Sequence, residues 1–459
     1  MSRVEAPKMA EGRQYLLGAI EDIHSKHGLP FPIDECASRV GDCMEIVVSR
    51  LERMPFIRHE TALAIANAYG NDSMEAGAAR VVETVGDNFD QIFFSQLKQK
   101  NDNPKSWRQY DSLPTAHLVS TIEALQQDKT LESYFANNPE TRRMLEILKN
   151  LASRDDRNQL DTITDELETL AISQYKARKP VVLFLLSDWY LRPNRRTHGI
   201  ELLEPDCRLV LPFKPEVHEA MIDFVDRAKR DLAPFYPNPK WKEEPTGVIG
   251  DAVMWAGSQL VSYTVGEAFN GHGFMFAPNI LKSYRRIVDI FERADLSVPD
   301  DVLMGLVRQY VYHELGHSYF LPVDRFIEEI TTDTTTVICI MGDALEGSDE
   351  DLTNTIALLF GEYLFYVDAP QTGEANNDGY RISSIFITEQ LLAYHLVERL
   401  SDGRLRIFPD RKRCLALVKD LADLHARLIK GDEETIAALR AINPSPVALE
   451  IAATHHGRE

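Results

Sequence analysis

The sequence predicts an α+β protein that is predominantly helical, because the hydrophobic pattern changes twice along its 459 residues. Over residues 1–175, apolar side chains recur every three or four positions, for example from Ala78 to Leu97, which is the period of amphipathic helices. After Pro180 the chain carries short apolar runs typical of strands, and beyond Asn279 it returns to helical spacing. This order favours a small sheet beside a helical body.

The length of the chain exceeds what one hydrophobic core normally holds, so more than one domain is expected. We predict a helical N-terminal domain over residues 1–175, a mixed connecting region over 176–245 and a C-terminal domain over 246–459. The second boundary rests on Pro234 to Pro245, where four prolines fix φ and remove hydrogen-bond donors.

Four segments carry the strand prediction. Val181 to Leu186 is continuously apolar, which is typical of either a buried strand or a buried helical turn. Arg208 to Phe213 is expected to form a short strand that leads into a helix ending near Leu232. Gln259 to Val265 alternates like a strand, and Gly271 to Phe276 is expected to pair with it. That last segment is either an edge strand able to hold an extended peptide or a plain turn.

Composition limits the class of function. The formal charge of -21 argues against nucleic-acid binding, which usually requires a basic surface. The five cysteines are scattered without a CxxC pair, so neither a disulfide framework nor a cysteine zinc site is expected. No apolar run is long enough to span a membrane, and the N-terminus lacks the apolar stretch of a signal peptide. These features predict a cytoplasmic protein.

Residues 313–317 read His-Glu-Leu-Gly-His, an HExxH motif. It lies in a segment from Val302 onward with helical apolar spacing, preceded by capping residues at 297–301. Because His313 and His317 are four positions apart, both imidazoles face one side of the helix and can reach one ion. Glu314 projects beside them, where it can act as a general base. Zinc is the expected ion, since its catalytic sites combine three protein ligands with one open position.

A second helix is expected from Arg325 to Met341, because Pro322 stops the first and Asp324 can cap the next. Glu328 and Glu329 stand on this second helix, and each is a candidate third ligand. An ordinary solvated helix face is the alternative explanation for both carboxylates.

Helix geometry favours Glu329 as the ligand. If the two helices form an antiparallel hairpin, one residue from each helix can be paired. Pairs whose two residue numbers add up to the same total all lie level with each other across the hairpin. The pairs His317 with Glu329 and His313 with Asp333 both satisfy this condition. Asp333 would then accept a hydrogen bond from His313 and fix the orientation of its imidazole.

An HExxH motif followed by a helix with the pattern Glu-x-x-x-Asp resembles the gluzincin branch of zinc metallopeptidases. The Glu328-Glu329 doublet is also similar to the dipeptidyl peptidase III family, which has one more residue between its histidines. The resemblance covers about 40 of the 459 residues. It implies a zincin-like domain in which zinc is bound by His313, His317 and Glu329, with Glu314 as general base and Asp333 as the residue that orients an imidazole.

Hydrolysis of an amide also requires a donor for the oxyanion. Tyr380 and His395 are our candidates, with Arg381 and Tyr394 beside them, on a helix expected from about Ile382 to Leu400. Each of these side chains could equally be a packed or surface residue.

The sequence therefore favours a zinc-dependent hydrolase acting on a peptide or small amide substrate, with no nucleic-acid or membrane partner. Two alternatives stay open. One is a zinc hydrolase of a non-peptide bond, and the other is a helical regulatory or interaction protein with a structural metal site. The oligomeric state is left open.

Overall fold

The computed structural model describes residues 10–27, 47–102, 116–154, 160–191, 200–236, 249–257, 266–269, 273–276, 280–317, 325–369, 371 and 375–454. The chain divides into two compact units. The N-terminal unit comprises Gly12–Ala220 and Gly247–Asn279, and the C-terminal unit comprises Met1–Glu11, Met221–Thr246 and Ile280–Glu459. The fold is α+β and mostly helical, as predicted.

The N-terminal unit combines helices with a five-stranded sheet. The helices are α1 (Ala10–Lys26), α2 (Met54–Tyr69), α3 (Met74–Asp102), α4 (Ala116–Gln127), α5 (Glu132–Asn137), α6 (Pro139–Arg154) and α7 (Leu160–Lys176). The strands are β1 (Val181–Leu191), β2 (Ile200–Pro212), β3 (Ile249–Gly257), β4 (Gly266–Phe269) and β5 (Gly273–Phe276). Helix α8 (Pro215–Leu232) follows β2.

The sheet has the strand order β1-β2-β3-β5-β4. Neighbouring strands are antiparallel except β3 and β5, which run parallel. Because β2 pairs with β3, the sheet joins chain segments on both sides of the proline-rich stretch. The predicted boundary at residue 175 lies inside the N-terminal unit. The predicted boundary at 245 is one residue from the place where the chain passes between the units, but residues 247–279 belong to the N-terminal unit and not to the C-terminal domain that we expect from 246 onward.

The structure resolves several of the strand predictions. Val181 to Leu186 lies in β1, so the strand interpretation is confirmed over the helical one. Arg208 to Phe213 lies at the end of β2, which begins earlier, at Ile200. Gln259 to Val265 lies outside the described residues. The strand predicted at Gly271 begins as β5 at Gly273 and pairs with β4 and β3.

Buried aromatic and charged contacts hold the helices of this unit to the sheet. Phe89 of α3 packs on Phe184 of β1 with ring centroids 5.7 Å apart. Arg58 of α2 forms a buried ion pair with Asp90 of α3 at 2.6 Å, and Asp90 accepts the Gly257 N–H at 2.7 Å. Gly257 has a φ of 79°, and a Cβ atom at this position would lie 1.7 Å from the carbonyl oxygen of Pro205, so no side chain fits there.

The C-terminal unit is built from helices and one short hairpin. The helices are α9 (Ile280–Arg293), α10 (Val302–His317), α11 (Arg325–Glu346), α12 (Asp349–Tyr363), α13 (Ala375–Ala393), α14 (Arg411–Ile429), α15 (Glu433–Arg440) and α16 (Pro446–Ala453). Strands β6 (Val397–Arg399) and β7 (Leu405–Ile407) form an antiparallel pair.

The prediction that one helix continues to Leu400 is wrong. Helix α13 ends at Ala393, and His395 takes the left-handed φ of 50° that turns the chain toward β6. Apolar residues at Leu391, Leu392 and Leu396 keep a helical spacing through this turn, so hydrophobic periodicity does not reveal it.

Helix α11 is the centre of the C-terminal unit, because its residues from Glu329 to Cys339 are all buried. It packs against α10, α12, α13 and α14. Apolar residues of α11, α13, α14 and α15 form one buried cluster, which contains Phe326, Ile327, Ile330, Ile382, Leu424, Leu428 and Leu439. No helix among the described residues has both the length and the apolar composition needed to cross a membrane.

Candidate metal centre

Helix α10 presents the two histidines of the HExxH motif on one face. The Nε2 atoms of His313 and His317 lie 3.0 Å apart, and their ring centroids lie 4.6 Å apart. Val311 and Leu315 are buried beside them and limit the rotation of the helix. The four-residue spacing thus converges both imidazoles on one point, as the motif predicts.

Helix α11 brings Glu329 to the same point. One carboxylate oxygen of Glu329, Oε2, lies 3.2 Å from Nε2 of His317 and 3.7 Å from Nε2 of His313. Asp333, one turn further along α11, lies level with His313, and its Oδ1 is 2.8 Å from the Nδ1 of that imidazole. The two pairs agree with the heights expected for an antiparallel helix hairpin.

The donor atoms of His313, His317 and Glu329 all lie within 4.8 Å of one another, so the three residues form a cluster able to hold a metal ion. Their separations of 3.0, 3.2 and 3.7 Å are close to the ~3.3 Å between ligands of a tetrahedral ion with bonds of about 2.0–2.1 Å. Oε2 of Glu329 is buried, and no donor among the described residues forms a well-aligned hydrogen bond with it, although both imidazoles face it. A bound cation would satisfy this otherwise costly carboxylate oxygen.

A close approach of α10 and α11 makes this geometry possible. A Cβ atom added at Gly316 would lie 2.7 Å from Cγ2 of Thr332 and 3.2 Å from the hydroxyl of Tyr236. Gly316 is the second variable residue of the HExxH motif, and the sequence pattern alone gives no reason for a glycine there. The structure gives one, since a side chain would push the two ligand-bearing helices apart.

Glu328 contacts the second imidazole from its other side. Its Oε1 lies 3.3 Å from Nδ1 of His317, so each histidine has a carboxylate on its Nδ1 atom. The sequence alone predicts Glu328 as an alternative ligand or as part of a solvated helix face, and not as a contact of the Nδ1 atom. The rule that pairs residues of the two helices by the total of their numbers matches His317 with Glu329. It also indicates Glu328, because the total of 317 and 328 is smaller by only one. Asp324, the expected cap of this second helix, lies outside the described residues.

The carboxylates determine the protonation of the metal-free imidazoles. Burial lowers the pKa of His313, but the charge and hydrogen bond of Asp333 outweigh it, so this pKa is raised above its ordinary value. For His317, burial is again opposed, here by Glu329 and Glu328, and its pKa lies well above the ordinary value. Both imidazoles therefore attract a cation, whether that cation is a proton or a metal ion.

Tyr380, near the start of α13, lies beside the cluster. Its ring is partly stacked on His313 with centroids 6.1 Å apart, and on Tyr366 at 5.9 Å. Burial, followed by the charges of Glu329 and Glu314, raises the pKa of the Tyr380 hydroxyl well above its ordinary value. The phenol is therefore held in its protonated, hydrogen-bond-donating form.

Glu314 is half-buried on α10 between the two histidines. Its charge contributes to the raised pKa values of both His313 and His317. It therefore lies close enough to the cluster to influence the same groups that would hold an ion.

The remaining predicted candidates contact other parts of the unit. His395 is exposed, and its carbonyl accepts a hydrogen bond from Arg413 at 3.1 Å. The Tyr394 hydroxyl donates to Asp420, and Nε of Arg381 donates to the Ala369 carbonyl at 2.8 Å. Of the oxyanion candidates, Tyr380 is the one that the structure brings to the metal cluster.

Comparisons with known proteins give no family assignment. No protein-family profile matches the chain, and no curated protein matches it. Among solved structures, the chain is similar to dipeptidyl-peptidase III from Corallococcus sp. strain EGB, with a TM-score of 0.48 and 12% identity over 98% of this chain and 92% of that chain. A likeness at this level establishes neither a family nor an activity.

Proposed function

We propose that this protein is a zinc-dependent hydrolase and that its substrates are peptides or small amides. The observation that carries the proposal is the His313, His317 and Glu329 cluster, whose donor atoms lie within 4.8 Å of one another on two consecutive helices. Glu314, between the two histidines, supplies a carboxylate that an exclusively structural site would not need.

The donor set favours zinc. Two imidazole nitrogens and one carboxylate oxygen are ligands that zinc accepts readily, and three protein ligands leave one coordination position for a substrate or water. When bound, zinc would lower the pKa of a water molecule and polarise a carbonyl group. The partial exposure of the His317 side chain, 22% against 3% for Glu329, indicates that the cluster is reached from the His317 side.

In this proposal, the chain's own residues move the proton and hold the charge. The Glu314 carboxylate takes a proton from the attacking water and delivers it to the nitrogen of the leaving amine. The Tyr380 hydroxyl donates a hydrogen bond to the developing oxyanion, because its raised pKa keeps its proton in place. Asp333 and Glu328 hold the two imidazoles through their Nδ1 atoms.

Metal analysis combined with an activity assay tests the proposal. We expect about one zinc per chain in the parent, retention of that zinc in Glu314→Gln, and its loss in Glu329→Ala. Hydrolysis of a fluorogenic peptide library should disappear in both variants. Glu346→Gln, an exposed carboxylate at the end of α11, is the matched control and should retain metal and activity.

Two outcomes would overturn the proposal. A parent protein that takes up no zinc would remove the metal centre altogether. A zinc-loaded parent that cleaves esters or other non-peptide bonds, but no amide, would keep the hydrolase and exclude the peptidase.

A further inference from the structure

The carboxylate of Asp333 is held by groups from three helices. Oδ1 contacts Nδ1 of His313 on α10 at 2.8 Å and accepts the hydroxyl of Tyr363 on α12 at 3.1 Å. Oδ2 accepts the hydroxyl of Ser383 on α13. Asp333, Tyr363 and Ser383 are all at least 95% buried, so water does not compete for these bonds.

These hydrogen bonds have a defined direction. A buried hydroxyl carries one hydrogen, and Tyr363 and Ser383 both direct theirs to Asp333. The Gln309 side chain, one turn before His313 on α10, lies close enough to the Tyr363 hydroxyl to lower its pKa, against the larger effects of burial and of Asp333.

The consequence for His313 follows from this direction. Because Asp333 is a fixed acceptor, the Nδ1 atom of His313 must be the donor in their contact. Its Nε2 atom, on the side of His317 and Glu329, is then the atom left to bind a cation.

We propose that Tyr363 and Ser383 are positioning residues of the metal centre, which hold the Asp333 carboxylate so that His313 presents Nε2 to the ion. The proposal rests on the zinc site proposed above. It assigns part of that site to α12 and α13, which lie outside the HExxH helix and the helix that carries Glu329.

The register of α13 on α11 supports this assignment. Gly379 and Ser383 are one turn apart on α13, and they contact Glu329 and Asp333, which are one turn apart on α11. A Cβ atom added at Gly379 would lie 3.0 Å from Cβ and Cγ of Glu329. Helix α13 therefore packs closely against both acidic residues of the centre, and Tyr380 lies between these two contacts.

The test is the zinc affinity of Ser383→Ala and Tyr363→Phe, measured by competition with a chromophoric chelator. Each variant removes one hydroxyl and is expected to weaken zinc binding several-fold, and the double variant should approach the roughly 10–100-fold loss typical of removing the residue that orients a metal-bound histidine. The visible spectrum of the Co²⁺-substituted variants should also change, because the orientation of one imidazole changes.

Matched controls separate positioning from general stability. Ser384→Ala removes the hydroxyl of the neighbouring buried serine, and Tyr312→Phe removes a buried tyrosine hydroxyl that donates to Asp231 instead. Both should retain parental zinc affinity. In an Asp333→Asn background, Ser383→Ala should cause little further loss, since the two side chains act through one contact.

The outcomes distinguish the two proposals. If the parent binds no zinc, the proposed function fails, and this inference fails with it. If the parent binds zinc but Ser383→Ala and Tyr363→Phe bind it with parental affinity and an unchanged Co²⁺ spectrum, only the positioning role is refuted. If Ser383→Ala does not fold, the size-preserving Tyr363→Phe variant decides the question by the same two measurements.

Discussion

Replacing Asp333 with asparagine should weaken zinc binding without altering a single metal ligand. Asp333 is 5% exposed and accepts hydrogen bonds from His313, Tyr363 and Ser383. The substitution removes the negative charge that favours the Nδ1–H form of His313. It also places an amide NH₂ group where one of the two carboxylate oxygens now accepts a hydrogen bond.

The expected loss of zinc affinity is about 10–100-fold, which corresponds to about 1.4–2.8 kcal/mol of binding free energy. The free energy of unfolding of the metal-free protein should also fall by about 1–3 kcal/mol, because one buried donor loses its acceptor. Saturating zinc should restore part of this stability, since a ligand that binds only the folded state stabilises it by mass action.

Chelator competition measures the affinity, and thermal unfolding with and without zinc measures the stability. The matched control is Asp343→Asn, on the same helix, where Asp343 is 43% exposed and pairs with Arg227 at 2.9 Å. That variant should behave like the parent in both assays. Parental zinc affinity in Asp333→Asn would refute the conclusion that Asp333 orients His313.

Three further predictions concern the same centre. Glu328→Gln should reduce zinc affinity less than Asp333→Asn does, because its 3.3 Å contact with His317 is longer and partly exposed, and an equal or larger loss would reverse this ranking. Gly379→Ala should weaken zinc binding by displacing Glu329, although alanine is more favourable than glycine in a helix by about 1 kcal/mol. Chelator competition measures this loss. The control is Gly342→Ala, where an added Cβ atom meets nothing within 4 Å and zinc affinity should stay parental. In the metal-free protein the pKa values of His313 and His317 are raised above 6.5, so their contribution to the free energy of unfolding should be complete below pH 6.5 and should decline as pH rises through the raised values. Zinc affinity should instead increase as pH rises, because zinc and protons compete for the same imidazoles. Calorimetric titration with zinc at pH 7 should therefore detect proton release.

The metal cluster could be predicted from the sequence because its geometry is local. Two histidines four residues apart on one helix must share a face, and a short connection to the next helix leaves few possible registers. The rule that pairs residues by the total of their numbers therefore places Glu329 beside His317 and Asp333 beside His313 before any coordinates are known, and the structure brings both pairs into contact.

The rest of the centre depends on contacts between residues far apart in the chain. Ser383 reaches Asp333 across 50 positions, and Tyr363 reaches it across 30, so no spacing rule connects them. Neither residue type is unusual in a helix, and their role becomes visible only when α12 and α13 pack on α11. The same reason explains the compact units, since strand pairing between β2 and β3 is a long-range contact.

The most direct test of the central claim is a crystal structure of the zinc-treated protein with data collected on both sides of the zinc absorption edge. We predict one strong anomalous difference peak in contact with Nε2 of His313, Nε2 of His317 and the carboxylate of Glu329, at about 2.0–2.2 Å from each. A zinc peak elsewhere on the chain, or no peak between these three side chains, would contradict the account.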